Sequence, residues 1–198
     1  MMTFLLPLMT WAALLSGDVG GKNLELDWQG AKTKLELAGK GLRAKKVAFI
    51  SVKVYDAHLY LADGQTFDRT DAGALNSLDG QKQLAMILKF RREVDAKRVI
   101  DSFKEAFTAN DIKFDAPGIK EFLKAVEVGG PALEGKTLSI VGVKEAAGGE
   151  TLIYENAKGE AATIKGSTGL IKQVMSIWFG KMGESTMVDL KANLLKAP

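Results

Sequence analysis

The sequence predicts an α+β fold: one antiparallel sheet with a layer of helices on one face. Segments that alternate apolar and polar residues lie before and after a central pair of segments with helical periodicity. No repeat or linker divides the 198 residues. Neither group of strands is large enough to fold alone, so one shared sheet is the economical solution.

The elements follow in order. "NLELDWQ" and "KTKLELAG" alternate as half-buried strands do, with "GAK" between them as a turn. The stretch "GKGLRAKKVAFISVKVYDAHLYL" spans residues 39–61. In it Ala48, Ile50, Val52 and Val54 share one side, and after Asp56 the apolar side passes to Ala57, Leu59 and Leu61. A period-2 pattern that changes phase predicts a bulge, a bend or a strand serving two neighbours. "DGQTFDRTDAGALNSLDG" is a polar connection with room for a short helical turn.

"QKQLAMILKFRREV" is the next strand, with Leu84, Met86, Leu88 and Phe90 on one face and Arg91 and Arg92 at its end. A helix follows: Asp95 caps it, Val99, Phe103, Ala106 and Phe107 form its apolar stripe, and Asn110 ends it. A second helix starts near Pro117, aligns Ile119, Phe122, Leu123 and Val126, and stops at Gly129 and Gly130. "KTLSIVGV", "ETLIYEN" and "EAATIKG" are strands, the last two joined as a hairpin. Helices from about Ser167 (Leu170, Ile171, Val174, Ile177, Trp178) and about Ser185 (Met187, Leu190, Leu194) complete the chain.

Composition excludes several functions. The net charge is +3 from 27 basic and 24 acidic residues mixed along the chain, so no nucleic-acid surface is expected. Cysteine is absent and histidine occurs once, as His58, which excludes a thiolate or histidine-rich metal centre; no cofactor or metal is expected. A Ser-His-Asp relay would have to run through His58, which reads more simply as a strand residue. "GKGLRA" lacks a third glycine and precedes a strand, so it is not a phosphate loop. No spacing of Asp and Glu singles out an acid/base pair.

The N-terminal segment "MMTFLLPLMTWAALLSGDVGG" has no charged side chain before Asp18 and an apolar run over residues 4–15. The run is short for a membrane span and suits a signal-peptide core. The expectation is a cleaved leader, residues 1–21, followed by one domain, residues 22–198, exported to the periplasm or beyond, with no stable membrane span in the mature form.

Arg43 sits beside the most apolar stretch of the protein. A guanidinium keeps its charge and offers a planar fork of donors suited to carboxylate, so next to an apolar cleft it can anchor an acid with an apolar tail. Tyr55 and Tyr60 add hydroxyls that could share the head group. Spacing alone leaves both possibilities open, an anchor or a surface cation in a salt bridge.

The same stretch, with its G-x-G-x-R lead-in and V-Y-x-x-x-L-Y end, resembles the strand region of the chalcone isomerase-like superfamily. "KQLAMILKFRREVDAKRVIDSFKEAF" is similar to the family's strand entering its long helix, and "IWFGKMGESTMVDLKANLL" to its final W-x-G and D-L-K segment. The set resembles the exported bacterial branch more than the plant enzymes. The resemblance implies an open-faced β-sandwich with a ligand cleft between sheet and helices. In the plant enzymes an arginine guides the phenolate of a chalcone during ring closure, and a threonine and tyrosine network polarises the carbonyl.

Arg43 matches that arginine. The family threonine falls at Ile50, the late-helix polar residue near Ile177, and the tyrosine and asparagine of the helical wall near Arg98 and Glu105. An isoleucine donates no hydrogen bond, so enolate stabilisation would lack its main electrostatic contribution. The resemblance therefore implies a non-catalytic relative that binds a fatty acid or similar amphipathic carboxylate. Arg43, Tyr55 and Tyr60 would stand at its polar end, and Ile50 and Val52 would form walls. Two alternatives stay open: an isomerase of the intramolecular lyase type, and an envelope protein whose cleft is packed shut and which acts through a protein partner.

Overall fold

A computed structural model describes residues 14–47 and 49–198. Eight strands form one antiparallel sheet in which spatial order equals chain order. They are β1 (Leu15–Ser16), β2 (Asn23–Trp28), β3 (Ala31–Val47), β4 (Ile50–Leu61), β5 (Gln83–Phe90), β6 (Thr137–Lys144), β7 (Glu150–Glu155) and β8 (Ala161–Gly166). The helices are α1 (Ala74–Asp79), α2 (Ala96–Ala109), α3 (Ile119–Gly129), α4 (Leu170–Phe179) and α5 (Ser185–Leu194). The predicted α+β architecture is the observed one.

Local chemistry explains the boundaries. The β2–β3 turn is Gln29–Gly30, both with positive φ (53° and 80°), the two-residue geometry that matches strand twist; it overlaps the expected "GAK" at Gly30, while Ala31 and Lys32 already belong to β3. Asp95 caps α2 by accepting the Arg98 N–H, and Asn110 closes it. The stretch 39–61, read from sequence as one strand region, contains a hairpin: Val47 pairs with Ile50, in a turn with neither glycine nor proline.

The phase change is a bulge. Arg43 pairs with Tyr55 and Ala44 with Lys53, which leaves Val54 as the extra residue of β4. Val52 before it, Val54 in it and Tyr55 after it border the same cleft. Further along, Ala57, Leu59 and Leu61 pack in the main core with Trp178, Phe107 and Phe122.

The two faces of the sheet carry separate cores. The helix face holds the larger one, each of whose fully buried Leu or Phe side chains contributes about 1.5–3 kcal/mol. The other face is also apolar: Leu24, Leu26, Leu35, Tyr60, Ile87, Val141 and Ile153 are buried there under Leu14, Leu15, Val19 and Trp28. The expected leader thus divides. Residues 1–13 lie outside the described residues, whereas 14–21 supply β1 and part of the cover of this second core.

The glycine pair of "GKG" seats a helix. A Cβ on Gly39 would stand 2.0 Å from the Leu194 carbonyl oxygen, and one on Gly41 would stand 2.8 Å from Leu190 Cδ1. Only glycine lets α5 approach β3 this closely. That approach brings the start of α5 over Arg43. Among the described residues no helix is long and apolar enough to cross a membrane.

Candidate ligand-binding site

Between the sheet and α2 runs a cleft of about 1190 Å³, somewhat above the roughly 300–1,000 Å³ of most small-molecule sites. Val52, Val54, Leu88 and Phe90 form its sheet wall. Val99, Phe103, Ile177 and Met187 form the helical wall, and segment 181–184, between α4 and α5, closes one end. Charged side chains gather at the rim, among them Lys45, Arg98, Glu105 and Lys181.

Arg43 stands in this cleft, 6% exposed. Its neighbour across the hairpin is Tyr55, the directly paired residue of β4. The guanidinium is already engaged. Nη2 donates to Glu184 Oε2 at 2.6 Å, and Nη1 donates to the Ala44 carbonyl and to Thr186 Oγ1. Thr186 in turn donates to Glu184 Oε1 at 3.0 Å, closing a triangle of Arg43, Glu184 and Thr186. Partial burial works against the charge of Glu184, yet the Arg43 charge and the Thr186 hydroxyl outweigh it and hold the carboxyl below its ordinary value.

Tyr55 accepts a hydrogen bond from Trp178 Nε1 at 3.3 Å and packs on Phe90 with ring centroids 5.3 Å apart. Burial pushes its hydroxyl up despite the nearby Arg43 charge, so at neutral pH it is a donor and not a phenolate. Arg43 and Tyr55 together can hold an anionic or strongly polar head group, while the remaining walls accept hydrocarbon.

The other expected site residues divide. Val52 lines the cleft. Ile50 does not: it starts β4 at the hairpin end and is 69% exposed. The missing polar group opposite Arg43 is therefore better read at Val52 and Val54, which face the cleft and are also apolar. Tyr60 is on the opposite face of the sheet. It accepts the Gly20 N–H at 2.8 Å and donates to the Gly21 carbonyl at 2.9 Å, tying the 14–21 segment to the second core. Ile177, Arg98 and Glu105 do line the cleft.

Sequence reasoning missed Glu184 and Thr186. They lie 141 and 143 residues from Arg43 and belong to no local pattern with it. The available clue was the G-K-G pair, a place where another backbone comes close.

A search of the curated proteins gives no significant match. Among solved structures the chain is similar to a fatty-acid binding protein of Arabidopsis thaliana, with a TM-score of 0.54 and 13% identity, over 86% of this chain and 95% of that one. At that identity the likeness concerns the fold. The family model described as chalcone isomerase-like matches residues 16–196, all eight strands and five helices except the first residue of β1. The chain belongs to the chalcone isomerase-like family.

Proposed function

We propose that this protein binds, without catalysis, a fatty acid or similar amphipathic carboxylate, with the head group at Arg43 and Tyr55 and the tail along Val52, Val54, Leu88 and Phe103. The observation that carries the reading is the direct pairing of Arg43 with Tyr55 at the edge of a large apolar cleft. The solved neighbour described as a fatty-acid binding protein supports it. Each buried methylene of a tail contributes about 0.8 kcal/mol, and a charged head-group contact about 1.5–3 kcal/mol, so micromolar affinity is within reach.

The alternatives receive less support. A packed-shut cleft would need Ile50 and Ile177 to fill the space, but Ile50 is exposed and Ile177 is one wall of an open cleft. An isomerase would need several donors aimed at a developing oxyanion, and of the sheet residues near Arg43 that line the cleft Tyr55 carries a hydroxyl while Val52 and Val54 offer none. We further propose that the protein acts after export, as the apolar N-terminal run suggests.

The test is mass spectrometry of protein produced with its leader, run native and then after organic extraction. Wild type is expected to release a carboxylic lipid, and Arg43→Ala to release little or none. In titrations Arg43→Ala should weaken dodecanoate by about 10–100-fold and dodecanol by far less. Equal losses for acid and alcohol would remove the anchor role.

A further inference from the structure

The anchor of this cleft already holds a carboxylate. Glu184 caps the guanidinium at 2.6 Å, is itself held by Thr186, and keeps 41% of its side chain exposed, whereas Arg43 keeps 7%. It comes from the last residue before α5, in extended backbone, and as the N-cap residue it makes no side-chain capping bond. Its side chain therefore satisfies none of the free backbone N–H groups of the helix and meets α5 only through the Thr186 hydroxyl. We propose that Glu184 is a built-in counter-carboxylate: it occupies the head-group position in the empty protein, and an incoming acid takes its place on Arg43 and Thr186. This rests on the carboxylate-binding reading above.

The chemistry favours exchange over joint occupancy. A buried guanidinium without a counter-charge is costly, so an empty site needs an anion of its own. With Glu184 in place the pair is neutral, and a second carboxylate on the same guanidinium would meet a like charge a few ångströms away. Once displaced, Glu184 turns into water from a position that is already half-exposed, so its release costs little. The Arg43 charge stays compensated in both states. Neutral amphiphiles of the same length have nothing to offer Arg43 in exchange, so they leave Glu184 where it is and bind through the walls alone. Glu184 thus sets how strongly the cleft prefers acids to alcohols, and it lowers the affinity for all acids alike.

Glu184→Gln tests this. A neutral amide bonds Arg43 more weakly than a carboxylate, so the variant presents a less satisfied anchor. Dodecanoate is expected to bind it about tenfold more tightly than it binds wild type, with dodecanol unchanged; the alcohol also reports that the cleft is intact. Equal dodecanoate affinity for the two proteins, or a weaker one for the variant, overturns the exchange and leaves the binding reading standing. Failure of both proteins to bind either probe removes the binding reading itself, and the exchange with it. If Glu184→Gln does not fold, Glu184→Asp keeps the charge but draws it back by one methylene, and the same order of affinities is expected at smaller size; no gain in dodecanoate affinity there overturns the exchange.

Discussion

Tyr55 and Tyr60 lie on one strand, yet they serve different halves of the molecule. Tyr55 is on the cleft side with Arg43, Phe90 and Trp178. Tyr60 is on the other face, where it ties Gly20 and Gly21 to the second core. The bulge at Val54 precedes both, so between them β4 keeps strict alternation, and an odd separation puts them on opposite faces. One tyrosine borders the cleft and the other ties the N-terminal segment to the second core.

The largest effect that separates them is truncation. Tyr60 is fully buried, and Tyr60→Ala should cost about 3–5 kcal/mol in a denaturant titration while leaving dodecanoate affinity of the folded fraction unchanged. A loss of affinity with little loss of stability would reverse the assignment of the two faces. Deleting residues 14–21 along with those before them should weaken the same core, because Leu14, Leu15 and Val19 cover it.

Next in size is Gly39→Ala on the helix side. The added methyl meets the Leu194 carbonyl oxygen, so α5 must shift, at about 1–3 kcal/mol or more. Because α5 carries Thr186 and follows Glu184, the variant should also alter acid binding, whereas Tyr60→Ala should not. Unchanged melting would mean that α5 does not sit against β3 as described.

The Phe variants sharpen the contrast at about 1 kcal/mol. Tyr60→Phe loses two hydrogen bonds to backbone, and Tyr55→Phe leaves the Trp178 indole N–H without its acceptor. Both should lower stability by similar amounts. Only Tyr55→Phe should weaken dodecanoate relative to dodecanol, since only that hydroxyl stands beside Arg43.

Much of this was legible in the residues. The strand alternation, the capping by Asp95 and the phase change after Val54 are local, and each marks its element. The separation of the two tyrosines was legible too, because parity along a strand decides the face; treating both as head-group residues ignored it. Ile50 was harder to place. Its hairpin turns without glycine or proline, so nothing local says that the strand has just begun and that its first residues project into solvent. The Arg43–Glu184–Thr186 triangle was not legible at all, since it exists only when α5 settles on Gly39 and Gly41. The second core lay hidden in ordinary alternation: segments such as "NLELDWQ" show that one side is apolar but not what covers it.

The smallest effect tests the Tyr60 side by pH. His58 shares that face, buried, with Gly20 close enough that a Cβ there would lie 3.3 Å from the imidazole Nε2. Burial, helped by Lys89 and Lys40, outweighs the attraction of Asp56 and lowers its pKa from the ordinary 6.5. Between the lowered folded value and 6.5 the unfolded chain binds the extra proton, so stability is full above about pH 6.5 and falls as pH drops below it. Denaturant midpoints measured above and below that value should therefore drop on acidification for wild type and drop less for His58→Gln. Dodecanol affinity should stay constant across the same range, because His58 and the cleft lie on opposite faces of β4. A parallel loss of alcohol binding would mean that the two faces are coupled and that the division between Tyr55 and Tyr60 is not a division of labour.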